Sequence, residues 1–488
     1  MSTSDLADRP RSVDAARPAN RPFGAGGRGD GAEGAGSLEP SHGRSMRRRP
    51  RPGRPVVVDL LAVVVGLGLG ITIALGMTAE SARSLGSLPG AITAVGRITG
   101  LLAGYAMAVT VALSARIGPL ERAIGQDRLI RWHRRLGPWG LYLLLGHVVL
   151  ITVGYAGLAR SGIPAQLWDL ILTYPGMLGA TVATALLFLA GVTSYKRARR
   201  RFRYETWWSI HLYTYLALLF AFPHQVDTGA SFVSHPLASI WWTALWVGLL
   251  AAVLYWRFAV PVIRSLRHRI RVAGVVRESD DVVSVVLEGR HLDRLPVAGG
   301  QFFQWRFLTK GAWWEAHPFS LSHVPHRGRM RITVKDLGDH SRDLAAMPTG
   351  TRVFVEGPYG RFTADAASSP KVLLIGAGVG VTPLVGILQD LDEHADVAVL
   401  LRGRTEDELV LRDEVEAEVE RRGGTVWQAV GSRDRVRITA STLRRALPDI
   451  HQRDVFICGP QQFTAAVAAE CRRAGIPDAR IHFESFAF

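Results

Sequence analysis

Six apolar runs, at approximately 56–77, 92–114, 133–153, 177–195, 207–223 and 238–258, constrain this chain more than any other feature of its 488 residues. A helix crosses a bilayer with about 20 predominantly apolar residues, so each run is a membrane-span candidate. Composition agrees. The chain is 48% hydrophobic and only 20% charged, with a mean hydropathy of +0.13, which excludes a wholly disordered protein. The first run starts at Val56 and continues without a small-residue cleavage site, so it reads as a span and not as a signal peptide. Residues 1–55 are rich in Gly, Ala, Arg, Pro and Ser. They bury too little apolar surface to offset chain entropy and are expected to be disordered.

The formal net charge of +16 comes from 58 Lys+Arg against 42 Asp+Glu, and only Lys196, Lys310, Lys335 and Lys371 are lysines. A nucleic-acid partner is the first reading of such a charge, but the arginines sort by loop. They cluster at 47–54 before the first run, at 116–135 around the second loop, at 197–203 between runs four and five, and at 257–271 after the sixth; the other three loops carry only Arg83 and Arg160. The positive-inside rule turns this into topology: a multi-pass protein of the cell membrane with both termini cytoplasmic, and no nucleic-acid partner. The two cysteines, Cys458 and Cys471, allow neither a disulfide framework nor a thiolate metal site.

Beyond the spans the pattern changes twice. From 268 to 367 short alternating runs, such as 282–287 and 329–334, are separated by Gly, Pro and Asp, the mark of a β-rich domain. From 370 to 488 buried-type strands at 372–375, 397–401 and 455–457 alternate with helical segments at 406–421 and 461–473, as in a doubly wound α/β domain.

Histidines interrupt the apolar runs. His133 and His147 belong to the third and His211 and His224 to the fifth, with spacings of 14 and 13. An ionisable side chain at membrane depth is expensive and reads as functional by default. Fourteen residues is close to four helical turns and about 20 Å of rise, so the histidines of each helix share a face. Two odd-numbered spans run in the same direction, which sets His133 level with His211 near the cytoplasmic side and His147 level with His224 near the outer side. Two stacked cross-helix pairs suit two haems held by imidazole on both axial positions. Interfacial structural histidines are the alternative, and the matched spacing speaks against it. Arg97, near the outer end of the second span, either meets a haem propionate or anionic product or snorkels to headgroups.

In the β-rich domain, His317-Pro318-Phe319-Ser320 follows a strand-like run, and a strand presenting a hydroxyl and an aromatic at its edge can hydrogen-bond a flavin ring and stack beside it. Gly338 and Ser341 sit in a glycine turn suited to a pyrophosphate. In the last domain, Gly376, Gly378, Gly380, Thr382 and Pro383 form a G-x-G-x-G-x-T-P loop between an apolar strand and a helix, where backbone amides and the helix N-terminus favour a diphosphate. Cys458-Gly459-Pro460 turns after a later strand, and Arg402, Arg404, Ser432 and Arg433 follow others. A Ser-Arg pair there favours the 2′-phosphate of NADPH over NADH, with surface solvation as the alternative.

Together these residues resemble the ferric reductase / NADPH oxidase superfamily over about 56–488. The resemblance implies a six-helix bis-haem domain (56–260), a β-barrel FAD-binding domain (268–367) and an α/β NAD(P)-binding domain (370–488), the last two forming a ferredoxin-NADP reductase-like module. It also implies roles: His317, Pro318, Phe319 and Ser320 as the flavin motif; Gly338 and Ser341 as the flavin phosphate segment; the 376–383 loop for nucleotide; and Cys458, Gly459 and Pro460 beside the nicotinamide. A C-terminal aromatic, Phe486 or Phe488, is expected to shield the flavin. No EF-hand pattern occurs in the chain, which points to the compact bacterial type. The expected function is electron transfer from NADPH through FAD and two haem b groups to an outer small-molecule acceptor (oxygen, ferric chelate or quinone), with membrane lipid around it and no obligate protein partner. A haem-free, membrane-anchored NAD(P)H:flavin reductase is the rival enzyme, and a non-catalytic nicotinamide sensor the rival of another class.

Overall fold

A computed structural model describes residues 54–486 except 79, 81–84, 196–198, 200, 202–203, 234, 311–312, 337–342 and 433. The expected disordered tail, apart from its last two residues, lies outside the described residues. So do Gly338, Ser341, Arg433 and Phe488. The chain divides into two compact units, Pro50–Ala259 and Val260–Phe488.

The first unit is helical: α1 (Arg54–Thr78), α2 (Leu88–Ser114), α3 (Gly118–Ile124), α4 (Gln126–Ala159), α5 (Ile163–Thr173), α6 (Met177–Ser194), α7 (Tyr204–Thr228) and α8 (Pro236–Val253). Ser87 caps α2 by accepting the Gly90 amide, with Pro89 in the first turn where no donor is missed. Val56, Leu60, Val63, Val64 and Leu67 of α1 are each more than half exposed, a face that suits hydrocarbon and not water. Five helices among the described residues are long and apolar enough to cross a membrane: Val56–Thr78, Leu88–Ser114, Arg128–Ala159, Met177–Ser194 and Pro236–His268. Six were expected. The one missing from these five, α7, has 25 residues, but Glu205, His211, His224, Gln225 and Asp227 dilute its apolar character. Small residues let the helices approach closely. Ala183 of α6 and Ala217 of α7 are buried against one another's neighbours, and α2 meets α4 through Gly96, Gly100, Gly154 and Gly157.

The second unit opens with α9 (Val260–His268), then β1 (Arg271–Ser279), β2 (Val282–Glu288), β3 (Phe302–Phe307), β4 (His317–His326), β5 (Arg329–Lys335) and β6 (Val353–Tyr359). These form an antiparallel sheet in the order β1-β2-β5-β4-β3-β6. The expected β-barrel is not closed. Its two edges meet only near one end, through the Arg271–Arg352 bridge and a few bonds such as Val272 N to Thr351 O at 2.9 Å. Phe303, Trp305, Leu321 and Ile332 fill its core.

Then β7 (Lys371–Ala377), α10 (Val381–Asp390), β8 (Asp396–Gly403), α11 (Arg412–Arg421), β9 (Thr425–Val430), α12 (Ala440–Ala446), β10 (Asp454–Pro460), α13 (Gln461–Arg473) and β11 (Ile481–Phe486) build a second sheet. Its order is β11-β10-β7-β8-β9, and every pair is parallel. Helices cover both faces, so the interior of β7 is buried on both sides. The chain moves from β7 to β8 and β9 on one side and returns to β10 on the other, placing a topological switch point between β7 and β10.

The two sheets share a core. Val282, Phe362 and Ala364 pack into the cluster around Val372, Leu384 and Phe456. Gly299 and Gly300 face Gly386 of α10 so closely that a side chain on Gly299 would collide with the Gly386 carbonyl. Gly299 N donates to Asp390 at 2.6 Å, and Arg331 of β5 donates to Glu414 of α11 at 2.6 Å.

Candidate functional site

The four histidines meet in two pairs across α4 and α7. His133 and His211 have ring centres 6.0 Å apart, and His147 and His224 6.2 Å. Both helices extend further than the sequence reading: α4 begins seven residues before His133, and α7 continues through Pro223 to Thr228. Each ring has its Nδ1 occupied. That of His133 bonds to the Thr110 carbonyl at 2.9 Å and that of His147 to the Gly96 carbonyl at 2.7 Å. Thr228 Oγ1 donates to the His224 carbonyl at 2.6 Å, so it accepts from His224 Nδ1 at 3.0 Å. Ser194 Oγ, which accepts from Trp207 Nε1, lies 3.4 Å from His211 Nδ1. A carbonyl can only accept, so in His133 and His147 the proton sits on Nδ1 and the lone pair on Nε2. That is the arrangement of metal-binding histidines.

This geometry fits iron carried in a porphyrin. Imidazole–metal bonds are roughly 2 Å and a ring nitrogen lies about 1 Å from its ring centre, so two imidazoles sharing one metal stand about 6 Å apart. Among the described residues no group of three or more His, Cys, Asp or Glu converges. A metal between these rings would therefore have to bring its other ligands with it. Gly100 makes room: a Cβ there would stand 2.5 Å from His147 Nδ1. No motif points to Gly96, Gly100 or Thr110; Thr228, four residues beyond His224, was within reach of a helical-spacing argument. Arg97 does not snorkel freely. Its Nη1 donates to Glu80 at 3.1 Å, and the Glu80 side chain is only 4% exposed.

In the second unit, His317, Pro318, Phe319 and Ser320 begin β4, paired with β3 from Trp305–His317 to Phe302–Ser320. β4 lies between β3 and β5 in the sheet. Its β5 ladder is registered only from Leu321 onward, so the motif keeps one open flank. Trp305 Nε1 anchors the Phe319 carbonyl at 2.9 Å, and the His317 and Phe319 rings stack at 6.1 Å. Ser320 is buried, yet its Oγ has no hydrogen-bond partner among the described residues. A buried hydroxyl costs free energy until something pairs with it, and a flavin edge suits it.

The glycine-rich loop sits at the switch point. Gly376 pairs with Cys458 of β10 and Ala377 with Arg402 of β8. Gly380 packs on the Cys458-Gly459 backbone, where a Cβ would stand 2.5 Å from the Cys458 carbonyl oxygen. Thr382 is 2% exposed, and its Oγ1 likewise lacks a partner among the described residues. Pro383 completes the first turn of α10. Phe486 ends β11 opposite Pro460 and packs on the cluster that holds Cys458. The Cys458 thiol is fully buried, and desolvation pushes its pKa up. One expectation changes here. Arg402 turns its guanidinium to the carbonyls of Gly403, Ala429 (2.9 Å) and Gly431 (2.7 Å), so it holds the β8–β9 ends together instead of offering itself to a phosphate. Arg404 and Ser432 remain exposed at the same sheet end.

Comparison with known proteins matches three consecutive parts of the chain. Residues 99–222 match the ferric reductase like transmembrane component, 267–363 an FAD-binding domain and 374–469 an oxidoreductase NAD-binding domain. Taken together, these three matches make the chain similar to the ferric reductase / NADPH oxidase superfamily. It is 25% identical over 300 residues to dual oxidase 1 of Rattus norvegicus, covering 56% of this chain and 18% of that one. It is 30% identical over 233 residues to the ferredoxin reductase component of 3-ketosteroid-9-alpha-monooxygenase of Mycolicibacterium smegmatis, covering 44% and 65%. Among solved structures, the flavohem-like FAD/NAD binding domain of nitric oxide dioxygenase from Vibrio cholerae O1 biovar El Tor aligns with a TM-score of 0.39 at 27% identity, over 45% of this chain and 99% of that one. The chain thus spans less than two thirds of the length of both relatives. The chain is an oxidoreductase with FAD- and NAD(P)-binding domains and a membrane-embedded helical part.

Proposed function

We propose that the chain carries electrons from cytoplasmic NADPH, through FAD and two haem b groups, to a small-molecule acceptor on the outer face of the cell membrane: oxygen, a ferric chelate or a quinone. The observation that carries this reading is the pair of histidine couples, 6.0 and 6.2 Å between ring centres, with all four Nδ1 atoms engaged by the protein. Bound flavin and haem supply the conversion of two-electron into one-electron chemistry.

The chain's own residues hold and orient. His133 with His211, and His147 with His224, would hold the haem iron through Nε2 while Thr110, Gly96, Thr228 and Ser194 fix the rings. With an imidazole on each side, such an iron would keep no position for the acceptor, which would meet the outer site by contact, with the Arg97–Glu80 pair at that end. Ser320 and Phe319 take the flavin, Gly338 and Ser341 its phosphates, and Phe486 or Phe488 covers it. Gly376, Gly378, Gly380 and Thr382 cradle the nucleotide diphosphate, Gly459 and Pro460 border the nicotinamide, and Arg404, Ser432 and Arg433 favour NADPH over NADH. In this reading α7 also crosses the membrane, as the fifth of six spans, both termini are cytoplasmic, and no nucleic acid or obligate protein partner is involved.

The test is a spectrum and a rate on purified full-length protein. Two haems per chain are expected, both reduced by NADPH. His147→Ala and His224→Ala should each remove the outer haem and acceptor reduction while leaving NADPH-to-flavin transfer intact. Flavin alone, with undiminished turnover, would establish the haem-free reductase instead.

A further inference from the structure

The second unit also holds a cavity that the flavin and nucleotide sites do not use. About 420 Å³ in volume, it is lined by Arg269, Arg271, Arg290, Arg327 and Arg329, with Glu288 as the one carboxylate. It lies where β1 begins, β2 ends and β4 turns into β5. That turn is nine residues from His317 along β4, about 30 Å at the rise of a strand, so the cavity is separate from the flavin motif.

Its arginines differ from several others in the unit. Arg412, Arg421, Arg453, Arg472 and Arg473 each pair with a carboxylate. Among the described residues no ion pair engages Arg269, Arg271, Arg290 or Arg329. Arg269, His291 and Arg327 hold φ of 45°, 54° and 50°, a region that residues with side chains rarely adopt. Backbone bonds hold this wall in place: Arg290 N to His268 O at 2.6 Å, and Gly289 N to Gly328 O at 3.1 Å. Like charges gathered on a braced backbone repel one another until a multiply charged or phosphate-bearing anion sits among them.

The chain says where that anion comes from. Arg269 directly follows the last candidate span, Pro236–His268, and at no more than about 3.6 Å per residue Arg271 is also held close to that helix end. On α9, Val262, Ile263 and Leu266 are 42%, 58% and 68% exposed, an apolar face that runs straight into the basic wall. Resting on the reading of Pro236–His268 as a span, we propose that this cavity binds the phosphate-bearing headgroup of an anionic membrane lipid. Each arginine near a charged leaflet contributes about fivefold in affinity.

Full-length protein in neutral phosphatidylcholine or anionic phosphatidylglycerol nanodiscs provides the test, read by native mass spectrometry of retained lipid and by melting temperature. The wild type should keep phosphatidylglycerol selectively and melt higher in its presence. The double variant Arg290→Gln/Arg329→Gln should bind it about 25-fold less tightly, with NADPH turnover on ferricyanide unchanged; Arg271→Gln/Arg329→Gln serves as a second pair should the first misfold. Equal retention by wild type and variant would overturn the proposal alone. So would inorganic pyrophosphate that displaces the lipid and stabilises the protein equally well. Recovery of the wild type outside the membrane fraction would instead overturn the span reading, and the proposal with it.

Discussion

Gly100→Ala tests the outer histidine pair without touching a histidine. A Cβ at this position stands 2.5 Å from His147 Nδ1, 2.7 Å from Cε1 and 3.1 Å from Cγ, where ordinary contact begins at 3.4 Å. The ring must therefore retreat by about 0.9 Å, the difference between 3.4 and 2.5 Å, unless the helices part. Its tether to the Gly96 carbonyl is 2.7 Å long, and a retreat of that size along the bond stretches it to about 3.6 Å, beyond hydrogen-bonding distance. One methyl forced into a packed interface costs about 1–3 kcal/mol. Here the cost falls on the ring orientation that a metal bond of roughly 2 Å depends on. Haem content, measured as the pyridine haemochrome per flavin, should fall from two to one, and the lost band should be the one lost in His147→Ala. Gly66→Ala, with nothing within 4 Å of its Cβ, should leave both. Two haems with unchanged midpoint potentials in Gly100→Ala would refute the reasoning.

The reductase unit gives three more expectations. Ser320→Ala should weaken flavin binding by roughly 5- to 30-fold, about 1–2 kcal/mol, without lowering the melting temperature of the flavin-free protein; flavin release followed by fluorescence checks both. Gly380→Ala sets a Cβ 2.5 Å from the Cys458 carbonyl oxygen and 2.7 Å from its carbon, backbone that cannot swing aside. NADPH reduction of flavin in stopped flow should slow about tenfold or more, equivalent to 1.4 kcal/mol or more, while dithionite reduction is unaffected. Asp454 is buried, which pushes its carboxyl up, but bonds from His482 (2.9 Å), Ser369 N (2.7 Å) and Ser368 N (2.8 Å) outweigh this and hold it below its ordinary range. A depressed folded value gives stability that is complete above the unfolded value of about 4 and lost as the pH falls through the folded one. Asp454→Asn should cost about 1–3 kcal/mol at pH 7 and flatten the melting-temperature decline below pH 4.

The pairing of His133 with His211 and His147 with His224 was legible in the sequence because a regular helix converts spacing into height and face. What orients the rings was not. The acceptors at Thr110 and Gly96 are carbonyls, which every residue has, and Gly100 is informative only once α2 is known to lie against α4. Pro223 misled the reading of α7's end, since proline usually stops a helix; in a membrane bundle neighbouring groups tolerate it. Alternation in β1–β6 reports which face is buried but not whether the first and last strands join, so closure was invisible. Arg402 looked like a phosphate ligand because sequence shows its charge but not the carbonyls of Ala429 and Gly431 waiting on the next strand.

The contact of Gly299 and Gly300 with Gly386 has a consequence for how such proteins are assembled or re-engineered. Bare backbone against bare backbone leaves no side chain to absorb a mismatch, so neither half of the reductase head is an interchangeable part. A hybrid that joins the flavin half of one homologue to the nucleotide half of another inherits a seam it cannot repack. Drift on one side of that seam must be answered by drift on the other, and a workable graft carries both halves together.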